Sequence, residues 1–141
     1  MLMLLNVIAL YATAILLGAM LFFSFIVTPV AFRALDGETV SKYLRALFPH
    51  YYLVIIVCGA TAAVTLALTG RPGPGAVMAM AAGFALLVRQ GLLPRLEALR
   101  AGRTAGDEVA TRQFRRLHGL SMAINLVQVA AVGWVLSIFV L

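Results

Sequence analysis

The sequence predicts an all-α polytopic membrane protein, an antiparallel bundle of four transmembrane helices in a single domain over residues 1–141. Three observations carry this. Hydrophobic residues make up 63% of the chain and charged ones 11%, too few to clothe a water-facing surface. Mean hydropathy is +1.03. Four apolar stretches, residues 2–32, 46–69, 76–93 and 117–141, each reach or exceed the ~18 residues read as a membrane span.

The first stretch has no Lys or Arg before it and runs on through FFSFIVTPVAF. It is longer than the apolar core of a secretory leader, so it reads as a retained helix. The second begins below the membrane: in LDGETVSKYLRALFPHYY, Asp36 is placed to cap a helix whose Val40, Tyr43, Leu44 and Leu47 recur at helical spacing. Between the second and third spans, GRPGPG offers two prolines without donors and glycines suited to a tight turn. Those spans are therefore antiparallel neighbours. Pro94 is expected to kink or end the third helix, with Gly102 stopping the segment after RLEALRAG. The fourth span repeats the design of the second, with Asp107 as cap and Phe114 and Leu117 on the apolar face. Helices two and four are thus expected to extend into the cytoplasm.

The two lead-in segments resemble each other. At an offset of 70, Glu38 meets Glu108, Lys42 meets Arg112 and Leu47 meets Leu117, while Pro29 and Pro94 occupy comparable places. Duplication of a two-helix unit explains this, and so does the common composition of basic amphipathic helices at interfaces.

Four spans place ten of the eleven basic residues on one side, with Arg71 alone on the other. By the positive-inside rule the basic loops are cytoplasmic and both termini lie outside, in the cell (inner) membrane. Basic residues flanking spans meet lipid headgroups, and no nucleic-acid motif accompanies them, so nucleic acid is not an expected partner. The lone Cys58 forms no intramolecular disulfide.

Lipid offers no hydrogen bonds, so polar groups within spans turn toward other helices or a cavity. On helix four, His118, Ser121, Asn125 and Gln128 step by three, four and three and form one stripe. Thr13, Ser24 and Thr28 form another on helix one, and His50 falls near Thr61 and Thr65 on helix two. The pairs Ala14 and Gly18, Gly59 and Ala63, and Ala79 and Gly83 are spaced for close helix approach. His50 and His118, the only histidines, sit near the same end of their spans. They are candidate ligands for haem iron or a transition metal, or carriers of protons, with Ser121 and Asn125 beside them. Packing is the other reading of the same imidazoles. Arg89 either snorkels to the surface or holds an anion with Gln90. No nucleophile with a base, no phosphate-cradling loop and no intramembrane carboxylate pair is present, so an enzyme is not the expectation.

The segments GAMLFFSFIVTPVAF, LFPHYY, LLPR and FRRLHGLSMAIN together resemble the transmembrane protein 205-like family, the family of domain of unknown function 4149. The resemblance covers most of the chain in order. It implies a small four-helix membrane protein of unsettled activity, with Phe48, Pro49, Tyr51, Phe114, His118, Ser121 and Asn125 at motif positions and Pro94 within LLPR. His50 and Arg89 fall outside the motif. Two roles are expected: binding or transport of a small ligand, haem or metal ion near the cytoplasmic face by a monomeric or homo-oligomeric bundle, or a non-catalytic structural or accessory role in a larger membrane complex.

Overall fold

The computed structural model describes residues 1–140. Helix α1 (Leu2–Phe22) continues through a π-helical turn (Phe23–Val27) into α2 (Thr28–Ala34). Helix α3 (Gly37–Leu68) comes next, then α4 (Pro72–Leu87), a second π turn (Val88–Leu92), α5 (Leu93–Thr104) and α6 (Glu108–Ser137). Taken through the π turns these make four rods of 33, 32, 33 and 30 residues, long and apolar enough to cross a membrane. At 1.5 Å per residue each is about 45–50 Å long, against ~30 Å of hydrocarbon. The linkers are only two or three residues. Rods this long, joined this tightly and packed along their lengths, run antiparallel.

The packing forms a ring. The first rod packs on α3 and α6, α3 packs on α4, and the α4–α5 rod closes onto α6. Leu16, Met20, Ile55, Leu66, Met78, Val132 and Val135 are fully buried between them. Large apolar side chains such as Tyr11, Phe25, Leu87, Leu126 and Val127 face outward, as a bilayer requires and water would not tolerate.

The prolines do not end helices here. Pro29 and Pro94 stand second in α2 and α5, each just after a π turn. In those turns Thr28 donates its N–H to the Phe23 carbonyl and Leu93 to the Val88 carbonyl, five residues back. The widened turn makes room for the ring, and the missing proline N–H is absorbed there. Helix three therefore passes Pro94 and Gly102 and ends at Thr104, beyond the expected stop.

The hairpin also differs from expectation. Pro72 and Pro74 lie in the first turn of α4, where N–H groups lack intrahelical partners and proline costs nothing. Only Thr69, Gly70 and Arg71 turn, with Gly70 at φ 78°. A Cβ on Gly75 would come within 3.0 Å of the Ala63 carbonyl. The glycine lets α4 start directly against the end of α3.

Asp36 and Asp107 cap as expected. The Asp36 carboxylate accepts from the N–H groups of Glu38 and Thr39 at 3.1 and 2.9 Å, and Asp107 from those of Val109 and Ala110 at 2.8 and 3.2 Å. Of the three small-residue pairs, only Gly59 with Ala63 lies in an interface, where a Cβ on Gly59 would meet Ala82 Cβ at 3.1 Å. Ala14, Gly18, Ala79 and Gly83 are exposed on outward faces. Met78 and Ala82, one residue away, make the α4 contact instead.

Candidate functional site

The inward polar face of α6 begins at Asn125. Tyr51 donates its hydroxyl proton to Asn125 Oδ1 at 2.5 Å, and Asn125 Nδ2 donates to Ser24 Oγ at 3.1 Å. One amide thus joins α6 to α3 and to the π turn of the first rod. One turn on, buried Gln128 donates to the Ala81 carbonyl of α4 at 2.8 Å. The partners of the α6 stripe thus lie on the first and second spans, and the third supplies another.

Aromatic packing fixes Tyr51. Its ring stacks on Phe23 at 4.2 Å between centroids and meets Tyr52 edge-on at 5.3 Å, while Phe48 tilts onto Phe23 at 5.5 Å. Phe48 and Tyr51 of LFPHYY therefore position a hydroxyl. Pro49 of the same segment makes a second contact between rods: Arg89 Nε, in the second π turn, donates to the Pro49 carbonyl at 3.2 Å. Arg89 ties the third rod to α3 within the bundle.

Four other hydroxyls of the seam bond within their own helices. Thr13 donates to the Ala9 carbonyl, Thr61 to that of Val57, Thr65 to that of Thr61 and Ser121 to that of His118. Asn125 and Gln128 alone among the α6 stripe residues bond across to other rods.

The two histidines face outward. His50 is exposed, with Nδ1 3.0 Å from the Ala46 carbonyl on its own helix. His118 is exposed and stacks on Phe114, one turn earlier, at 6.0 Å. Among the described residues no three His, Cys, Asp or Glu side chains gather in a way that could hold a metal ion.

The surroundings of Phe114 were not legible as a site. The Arg103 guanidinium lies 4.5 Å from its centroid and that of Arg100 5.8 Å. Arg100 also donates to Ser41 Oγ and lies 3.6 Å from Glu97, which pairs with Arg45 at 2.9 Å. Burial works against the Arg100 charge, and Glu97 offsets it. Residues of α3, α5 and α6 thus meet at the arginine-rich end, with His118 stacked on the same phenylalanine. The Glu97 and Arg100 spacing was the available signal. Their meeting with Ser41 and Phe114 depends on the third helix continuing past Pro94.

The sequence profile of a domain of unknown function (DUF4149) matches residues 11–105, about two thirds of the chain. The chain belongs to this family. The DUF4149 match takes in Tyr51, Arg89 and the arginines of α5 and stops before α6, which supplies Asn125, Phe114 and His118. No curated protein and no solved structure matches this DUF4149 chain.

Proposed function

We propose that this protein binds a small acidic ligand at the arginine-rich mouth of its bundle, and that the mouth faces the cytoplasm with both termini outside. The orientation rests on ten of eleven basic residues lying toward that end. The observation that carries the binding reading is the imidazole of His118. It is held by the stack on Phe114, makes no hydrogen bond to a described residue, and shares that ring with the guanidinium groups of Arg100 and Arg103. Guanidinium and imidazole donors suit carboxylate or phosphate oxygens. Were a haem bound here, Arg100 and Arg103 would pair with its propionates and His118 would supply the one imidazole, whereas a bare transition-metal ion needs more ligands than His118 offers. Deeper in the bundle Asn125 and Gln128 are occupied by other rods, which favours capture at the mouth over passage along the seam.

The test is purification from native membranes followed by an optical spectrum, elemental analysis and mass spectrometry of extracted small molecules. An acidic molecule or haem should accompany the wild type and be lost from His118→Ala and Arg103→Gln. Clean protein with no such molecule refutes the reading. An accessory role is the second reading, favoured by the exposed ridge Tyr11, Ile15, Phe22 and Phe25 on one face of the first rod. It requires a foreign subunit at fixed stoichiometry in native mass spectra.

A further inference from the structure

The first turns of α6 carry a second charged surface on the face turned away from α5. Ala110 and Phe114 face α5, where a Cβ on Gly102 would sit 2.8 Å from Ala110 Cβ and Arg103 covers the Phe114 ring. At 100° per residue, Arg112, Arg115 and Arg116 fall within an arc of about 100° on the opposite side. All three are exposed, and none pairs with an acid among the described residues. They line two shallow, open surface grooves that share Arg112, one with Gly106, Glu108 and Thr111, the other with Val109 and Gln113. Glu108 shares the first groove without neutralising it. Asp107 already occupies the amides of Val109 and Ala110, so the charge here is that of the arginines and not of the helix end.

Three like charges on adjacent turns repel one another unless an anion lies between them. The same face indicates which anion. One turn on comes Gly119, around which a Cβ would meet nothing within 4 Å, and then Met122, Leu126 and Val127, exposed at 60%, 68% and 69%. A strip of arginine donors, a bare backbone step and an apolar wall stand in line along one helix. That order is the order of phosphate, glycerol and acyl chain in a phospholipid. A free phosphate would use only the first part.

We propose that this face of α6 is a binding site for an anionic phospholipid, with its phosphate held by Arg112, Arg115 and Arg116, its glycerol against Gly119, and an acyl chain along Met122, Leu126 and Val127. The site uses neither His118 nor the Arg100 and Arg103 guanidinium groups of the mouth. Juxtamembrane arginines each contribute about fivefold to anionic-lipid binding, so three give about a hundredfold preference over a zwitterionic lipid.

The purified full-length chain in a neutral detergent is titrated with phosphatidylglycerol or phosphatidylcholine of the same chain length, and retained lipid is counted by native mass spectrometry. The wild type should prefer phosphatidylglycerol by about a hundredfold. R112Q/R115Q/R116Q should lose that preference while keeping its helical circular dichroism, and Gly119→Leu, at a position where a Cβ meets nothing within 4 Å, should weaken retention with all charges kept. His118→Ala should retain lipid as the wild type does, which separates this site from the ligand at the mouth. Equal retention of the two lipids by the wild type overturns the proposal. So does undiminished preference in the triple variant, undiminished retention in Gly119→Leu, or displacement of the lipid by millimolar inorganic phosphate.

Discussion

Replacing Asn125 by leucine keeps the volume of the side chain and removes its two bonds, to Tyr51 and to Ser24. Interhelical hydrogen bonds in membranes average about 0.6 kcal/mol and reach about 1.7. Tyr51, 7% exposed and ringed by Phe23 and Tyr52, then loses its Asn125 acceptor away from water, a further cost of about 1 kcal/mol. Asn125→Leu should therefore destabilise the bundle by about 2 kcal/mol. Tyr51→Phe should cost about 1 kcal/mol, because it strands only the amide oxygen. The double variant removes both ends of one bond and should cost less than the two singles together. Unfolding in dodecyl sulfate, tracked by the fluorescence of Trp134 and by circular dichroism, measures all three. Strict additivity, or an Asn125→Leu protein as stable as the wild type, would refute the claim that this amide is a lock between rods.

Gly59→Val should cost about 1–3 kcal/mol in the same assay, because its Cβ meets Ala82 at 3.1 Å and the Met78 carbonyl at 3.2 Å. Gly83→Ala, in open space, should be neutral or stabilising through helix propensity. Gly102→Ala should part α5 from α6 and make the Ala105–Asp107 turn more sensitive to limited proteolysis, since only 2.8 Å separates its Cβ from Ala110. The Thr39 N–H and hydroxyl hold the Asp36 carboxyl below the usual carboxylate range. Its cap is therefore present above the unfolded value and lost as pH falls through the folded one, so hydrogen-exchange protection at Thr39 should weaken only below about pH 4.

The spans, the capping aspartates and the inward Asn125 were legible because each depends on local chemistry: apolar length, a carboxylate before a helix, and an amide that lipid cannot satisfy. The histidines were less so. An imidazole is amphipathic, and the face it takes depends on helix rotation that sequence spacing does not set. His50 and His118 both turned outward, while Tyr51, next to His50, took the inward place. The third rod was the least legible element. A proline in an apolar run ordinarily reads as a boundary, yet a π turn admits Pro94 and rotates α5 relative to a 3.6-residue extrapolation from α4. The meeting of Glu97, Arg100 and Arg103 with Ser41, Arg45 and Phe114 depends on that continuation. Likewise PGPG reads as a turn, while the structure uses its prolines in a first helical turn and its second glycine as a contact against Ala63.

The most direct test places cysteines at Ser24 and Asn125 in a Cys58→Ser chain, treats native membranes with a short bis-methanethiosulfonate, and identifies linked peptides by mass spectrometry. Residues 24 and 125 should link within one chain, while 24 and 126, with Leu126 turned to the acyl chains, should not. A chain that links 24 to 126 and not to 125 would place the polar side of the last helix in lipid and contradict a bundle closed by Asn125.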